Sequence, residues 1–490
     1  MIWPNLFIPY WRLINVMPDS FEILHKDLAG RIGRFSTLHG TVETPALMPV
    51  VNPHLQVVPP PELSRIGAPM VITNSYIIHQ DEGLRRSALE KGLHATLGFE
   101  KPIMTDSGAF QLSVYGSVEV QPLEILRFQQ AIKSDICVPL DIPTPPDVPR
   151  DRAVRELKET ERRLVEASEN RDSNKSLLAG PIQGSIYLDL REQAGRFLRD
   201  KKFDLYPIGA VVPLMESYRY DDLVNVVAAS KAGLGSGAPT HLFGAGHPMV
   251  FALAAALGCD LFDSAAYALY ARDGRYLTAR GTWKLREMNY LPCPCPICQG
   301  YTQKELMESP ERLKLLAMHN LYASFAEINL IKQCIREGSL WDLLESRCRS
   351  HPRMLDGFHA LGRHASWLES LDTSTKSTFF YLSPESSARP EVLRYGEKIG
   401  RLKVEGKVLV TDQARKDDAQ EFDAVLHFKP PFGPYPPDLS ETYPLNAEVP
   451  KKPDVAAVKV AMQNAQTLRE ANPSADFTFR IRCAEGVQDD

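Results

Sequence analysis

Two aspartates occupy matching places in the chain. Asp106 ends the apolar run Ile103-Met104-Thr105 and is followed by Ser107-Gly108-Ala109-Phe110-Gln111. Asp263 ends Leu261-Phe262 and is followed by Ser264-Ala265-Ala266. A carboxylate is costly to bury without a partner, so an Asp closing an apolar strand belongs in a turn or at the mouth of a site. Two of them are the equipment of a paired-acid enzyme, in which one group attacks and the other moves a proton. Asp141, Gln183 and the small pair Gly209-Ala210 end other apolar runs in the same way. With Ser107 and the ring of Phe110, they suit a planar, hydrogen-bonding heterocycle. Taken singly, each has a plainer reading. A strand-end Asp is more often a helix cap or turn residue, and Phe110 alone is more often core.

A second constellation lies at 293–298, where Cys293, Cys295 and Cys298 fall within one short knuckle, with His319 downstream. Three thiolates and an imidazole at this spacing close a tetrahedral zinc site of the structural kind. With 8 cysteines in 490 residues, metal ligation is a better account than a disulfide framework. Cys137, Cys259, Cys334, Cys348 and Cys483 read as small buried residues. Between 269 and 289, Arg272, Arg275, Arg280, Lys284 and Arg286 alternate with Tyr270, Tyr276 and Trp283. That pattern suits a phosphate backbone with exposed bases; on its own, a solvated amphipathic hairpin is the slightly favoured reading. The net charge of −5 excludes a generally basic nucleic-acid coat but not a local basic groove.

These residues need a frame. Short β-like runs recur at 46–50, 70–73, 102–105, 136–140, 177–182, 205–208, 241–244 and 260–262, with helical patterns at 122–132, 151–167, 188–199, 220–232 and 249–257. Alternating β and α units imply a parallel sheet. Eight units predict a closed (β/α)8 TIM barrel, an α/β fold, with the strand-end polar residues converging on its C-terminal rim. No Gly-x-Gly-x-x-Gly turn follows the first strand, which disfavours a dinucleotide fold. Ahead of the barrel, 21–51 alternates and turns on glycines as antiparallel strands do. Behind it, His319 opens an apolar-periodic helix that would pack the metal knuckle against the barrel.

The expected organisation is an extension at 1–17 and a catalytic barrel at 18–345 that includes a zinc subdomain at 269–345. Small α+β accessory domains follow at 346–410 and 411–490. The run DTSTKST at 372–378 reads as a polar linker. No segment has the length and apolarity of a membrane span, and 1–16 lacks the basic start of a signal peptide. The default location is cytoplasmic.

Five stretches carry a resemblance: TDSGAFQL at 105–112, FGAGHP at 243–248, CDLFDSAAYALYARDGRY at 259–276, CPCPIC at 293–298 with His319, and PPFGPYPP at 430–437. Together they resemble the tRNA-guanine transglycosylase family, in its archaeal branch, over nearly the whole chain. The resemblance implies exchange of guanine 15 in the tRNA D-arm for 7-cyano-7-deazaguanine, through a covalent ribosyl-aspartyl intermediate. It implies Asp263 as nucleophile and Asp106 as general acid/base. Base recognition falls to Ser107, Asp141, Gln183 and the backbone at Gly209-Ala210, with Phe110 packing on the ring. One structural zinc per chain would sit on Cys293, Cys295, Cys298 and His319, and the enzyme would be a homodimer. Two departures stand out. The archaeal pattern continues into a PUA RNA-binding domain that is not recognisable here, so it is expected to be absent or supplied by a separate polypeptide. The stretch before Met17 also lies outside the pattern. Rival readings are an enzyme acting on the already inserted base, a tRNA-binding subunit without activity, and a barrel glycoside hydrolase. Retention of both acids argues against the first two. The metal knuckle, the basic segment and only 5 tryptophans argue against the third.

Overall fold

The computed structural model describes residues 20–109, 120–172, 176–201 and 203–483. The stretch before Met17 and the Phe110 ring lie outside these residues. An antiparallel meander opens the described chain: β1 (Phe21–Asp27), β2 (Gly30–Thr37) and β3 (Gly40–Thr44). Eight parallel strands follow: β4 (Ala46–Val51), β5 (Val71–Asn74), β6 (Ile103–Asp106), β7 (Ile136–Cys137), β8 (Leu177–Leu178), β9 (Tyr206–Ile208), β10 (Thr240–Leu242) and β11 (Leu261–Ser264). Their order in the sheet is β8-β7-β6-β5-β4-β11-β10-β9. Parallel bridges from Ala179 to Leu205 and from Ile182 to Ile208 join the two ends, so chain order runs round a closed ring, the topology of the predicted barrel.

The runs at 136–140 and 177–182 form only two residues of ladder each. Pro139 and Pro181 explain this, because neither has an N–H for the ladder. Met48, Met104, Ile136, Leu205 and Leu261 fill the barrel, and Phe35 and Val42 of the meander join them. A buried ion pair, Arg31 to Asp260 at 2.7 Å, seats the meander beneath β11.

Asp135, just before β7, anchors the same end. One oxygen accepts from the His39 N–H and lies 2.9 Å from its Nδ1; the other accepts from the Ile103 N–H and lies 3.0 Å from His94 Nε2. The three side chains are close enough to hold a metal ion, yet every lone-pair direction of the carboxylate already meets a nitrogen, which makes this a clamp. Burial opposes ionisation of Asp135, but the donors from His94, Ile103 and His39 outweigh it and bring the carboxyl to about 2. Because the folded value is the lower one, the clamp contributes fully above pH 4 and is lost as pH falls towards 2. Asp135→Ala is expected to cost about 2–3 kcal/mol at pH 7, read by denaturant unfolding, with the difference from wild type shrinking below pH 4.

Helix Pro248–Ala256 is buried at every position because a second helical layer, Arg312–Glu337 and Leu340–Cys348, covers it. The predicted helix at His319 therefore starts about two turns earlier, at Arg312. Between the barrel and this layer stands the hairpin of β12 (Arg275–Thr278) and β13 (Gly281–Lys284).

The C-terminal part carries a four-stranded sheet of β14 (Lys407–Thr411), β15 (Ala424–Lys429), β16 (Gly433–Tyr435) and β17 (Asp476–Arg480), in the order β16-β15-β14-β17, with helix Val455–Ala471. In the predicted polar linker Ser374, Thr375 and Ser377 are exposed, but the Lys376 side chain turns inward. Lys376 is 2% exposed and sits 2.7 Å from Asp27, 3.0 Å from Asp372 and 3.0 Å from Glu391. It ties the meander to helix Pro390–Ile399. Among the described residues no helix is long and apolar enough to cross a membrane.

Candidate active site and metal centre

The polar residues named from strand ends gather at one rim of the barrel. Asp106 is the last residue of β6, and Asn74, the last of β5, donates to its Oδ2 at 3.2 Å. Asp106 is still reachable at its tip but enclosed on its flanks, and its carboxyl is pushed up to about 7. Burial is the largest cause, followed by the charges of Asp141 and Asp263, against the pull of the Ser107 and Gly108 N–H groups. Ser107 itself is buried and donates to the Pro139 carbonyl at 3.3 Å.

Asp141 and Gln183 form a pair, with Gln183 Nε2 donating to Asp141 Oδ2 at 2.6 Å. Burial raises the Asp141 carboxyl to about 6, and the Gln183 bond restrains it. Gln183 Oε1 is buried and has no partner. An unpaired buried acceptor is rare in a folded protein unless a ligand or water supplies its donor. Gly209 leaves room for this amide, since a Cβ there would stand 2.2 Å from Gln183 Nε2. Both Gly209 backbone groups are engaged, the N–H with the Ile182 carbonyl at 3.1 Å and the carbonyl with Arg191 at 3.0 Å. Ala210 follows with φ 57°, turning the loop after β9.

Asp263 is 8% exposed. Its Oδ1 lies 2.8 Å from His241 Nε2 and accepts from the Gly244 N–H at 2.7 Å. Gly246 lets this loop press on β11, because a Cβ would meet the Ser264 side chain at 1.7 Å. An ionisable acid near neutrality, an anchored carboxylate and an amide with an open acceptor stand together at this rim. That group can attack an electrophilic carbon, move a proton and read a heterocycle's edge.

Three contributors were not legible in the sequence. The apolar pattern carries the run at 70–73 only to Thr73, whereas the strand ends at Asn74, in the place that Asp106 holds on β6. His241 was read as an ordinary strand residue. Arg191 lies on the buried face of helix Leu188–Arg199 beside Leu190, Ala194 and Leu198. It donates to the carbonyls of Ser185, Ile182 and Gly209 at 2.7, 2.9 and 3.0 Å, fixing the loops that carry Gln183 and Gly209. Burial without a carboxylate partner pulls its guanidinium down to about 9. A charged residue on an apolar helix stripe was the available signal.

The metal cluster forms as expected. The donor atoms of Cys293, Cys295, Cys298 and His319 all lie within 4.8 Å of one another, a soft, tetrahedral-type set able to bind a metal. His319 Nε2 meets the Leu277 carbonyl at 3.1 Å, which turns Nδ1 to the thiols at 3.4–3.5 Å, the outer-shell arrangement of metal-bound imidazoles. Tyr276 stacks on His319 at 3.6 Å, so it is not free for a base. Arg272, Arg275, Arg280, Lys284 and Arg286 are exposed, and Trp283 among them is 47% exposed.

The profile described as queuine tRNA-ribosyltransferase matches residues 27–353. The chain is 59% identical over 463 residues to a tRNA-guanine(15) transglycosylase of Methanosarcina barkeri, covering 94% of each chain. It is 54% identical over 468 residues to the protein of that name from Haloferax volcanii, covering 94% of this chain and 90% of that one. With the Methanocaldococcus jannaschii protein of the same name the identity is 49% over 452 residues, 88% of this chain and 69% of that one. A barrel of this topology, matched across it by the family profile and along almost its whole length by these relatives, belongs to the tRNA-guanine transglycosylase family of transferases.

Proposed function

We propose that this chain replaces guanine 15 of the tRNA D-arm by 7-cyano-7-deazaguanine, the first step of archaeosine formation on tRNA. The observation that carries the reading is Gln183 Oε1, buried and without a donor, beside Asp141. Guanine and its 7-deaza analogue present the same N1–H and 2-amino donors on one edge, and these two groups accept them. Ser107 and the loop at Gly209-Ala210 complete the base site.

In the first step an oxygen of Asp263 attacks C1′ as the C1′–N9 bond breaks. The electron pair leaves with the base, and Asp106 supplies the proton that makes it neutral guanine. The product is a ribosyl ester. In the second step ionised Asp106 takes the N9 proton of the incoming deazaguanine, N9 attacks C1′, and the ester bond returns its electrons to Asp263. Two inversions give net retention. The target nucleoside must leave the tRNA fold to reach the rim, and the exposed basic hairpin supports contact with its backbone. Catalysis belongs to 18–345, and 346–410 and 411–490 are accessory. The active form is a homodimer.

Zinc fits the Cys3His set, where it would hold the knuckle against helix Arg312–Glu337 and supply folding energy rather than chemistry. Metal analysis is expected to give one zinc per chain. Stripping it is expected to lower Tm by roughly 10 °C, the equivalent of a few kcal/mol; an unchanged Tm would reject the structural role.

Incorporation of labelled guanine into unmodified tRNA transcript by the purified chain, suppressed by added 7-cyano-7-deazaguanine, is the expected result. No incorporation by the folded, metal-loaded protein would reject it as a self-sufficient transglycosylase.

A further inference from the structure

Asp263 is held from one side only. Two donors, the His241 Nε2–H at 2.8 Å and the Gly244 N–H at 2.7 Å, converge on Oδ1, and no described residue donates to Oδ2. His241 is fully buried, and its second nitrogen, Nδ1, has no partner. Its ring packs against Phe243 with centroids 4.5 Å apart. A phenyl ring would fill that space without leaving a buried nitrogen unpaired, and an unpaired buried polar atom is destabilising. Packing therefore does not account for an imidazole here, and its single bond to Asp263 does. The second donor is fixed as firmly. Gly244 has φ 70°, and a Cβ there would stand 2.3 Å from Val212 Cγ2, so the loop presents its N–H in one orientation.

We propose that His241 is a positioning residue for the nucleophile: with the Gly244 N–H it occupies Asp263 Oδ1, so that Oδ2 alone attacks C1′. The proposal rests on the reading of Asp263 as the nucleophile. It also divides the two steps between the two oxygens. When C1′–Oδ2 forms and C1′–N9 breaks, Oδ1 becomes the carbonyl oxygen of the ester, still accepting both N–H donors. When N9 of the incoming base displaces Oδ2, the electron pair of the C1′–Oδ2 bond returns to the carboxylate. The charge that develops on it is met by donors already in place, as in an oxyanion hole. His241 transfers no proton; it donates one hydrogen bond throughout. The arrangement also explains how neighbouring acids serve opposite ends. Asp263 is held by two N–H groups, while Asp106, enclosed by burial beside Asp141 and Asp263, is drawn towards the protonated form.

The test compares guanine exchange by the full chain with that of His241→Phe, His241→Gln and Asp263→Asn, with Tm and metal content as folding controls. Loss of one such donor is expected to lower kcat on the order of 10²-fold in His241→Phe, with KM for tRNA within about threefold because uniform binding is untouched. His241→Gln, whose amide can donate at similar reach, should recover to within about tenfold of wild type. A folded His241→Phe with wild-type kcat would overturn the proposal while leaving Asp263 as nucleophile. Exchange by Asp263→Asn would instead overturn the reading beneath it. If His241→Phe does not fold, ¹⁵N shifts of labelled imidazole in the wild type decide: a proton on Nε2 and a bare Nδ1 are expected, and a proton on Nδ1 would overturn it.

Discussion

With Asp263 as the proposed nucleophile, Asp263→Asn is expected to lose guanine exchange by a factor on the order of 10⁴ or more, the scale of removing a nucleophile from a catalytic set that acts as a unit. The protein otherwise remains as it was. An asparagine has the shape of the aspartate, and its carbonyl can accept the same two N–H groups from His241 and Gly244. Stability should therefore stay within about 1 kcal/mol of wild type. Binding of tRNA should survive as well, because the exposed cations of the β12–β13 hairpin are untouched. What disappears is the anionic oxygen able to bond C1′. The measurement pairs labelled-guanine exchange with trapping of a protein–tRNA adduct and with filter binding. Retained binding without exchange or adduct is the expected result. Appreciable exchange would remove Asp263 from its role.

Asp106→Asn should produce the opposite pairing, losing activity and gaining stability. Burial, then the charges of Asp141 and Asp263, bring the Asp106 carboxyl to about 7. Its folded value lies above its ordinary one, so the stability tied to its protonated form is complete below about pH 4 and is lost as pH rises through 7. Moving from 3.8 to about 7 at ~1.4 kcal/mol per pH unit makes the ionised state costly by about 2–4 kcal/mol, the lower figure allowing for its water-reachable tip. An asparagine removes that cost. The variant is expected to unfold at higher temperature than wild type at pH 8, with the gap narrowing towards pH 5. Exchange should fall about 10²–10⁴-fold, since no group remains to protonate the leaving base. Thermal unfolding from pH 5 to pH 8 reads the first part. A variant less stable than wild type at pH 8 would contradict the electrostatic account of the site. In the wild type the forward step should slow above pH 7, as the fraction of protonated Asp106 falls.

Much of this could be read without coordinates, and the reason is physical. Asp106, Asp141, Gln183 and Asp263 were recognisable because each interrupts an apolar run at its end. In a barrel every strand end faces the same rim, so a one-dimensional pattern maps onto a three-dimensional cluster. The thiols at 293–298 were legible because their ligating geometry is local. Asn74 was missed by one residue, since strand boundaries are the least certain feature of a pattern. The sequence pattern placed the start of helix Arg312–Glu337 at His319, about two turns late.

The sequence by itself determined the kind of fold and the inventory of chemistry: eight β/α units, three strand-end acids, an amide and a metal knuckle. Only the tertiary structure decided how those groups are tuned. It brought Asp141 and Asp263 beside Asp106, raising it to about 7. It set the unpaired acceptor of Gln183 beside Asp141. It turned His241 onto one oxygen of Asp263. It also drew Lys376 out of an apparent linker into a ring of Asp27, Asp372 and Glu391. Ionisation, orphaned acceptors and buried ion pairs depend on distance and dielectric between residues far apart along the chain, and no local pattern carries that information.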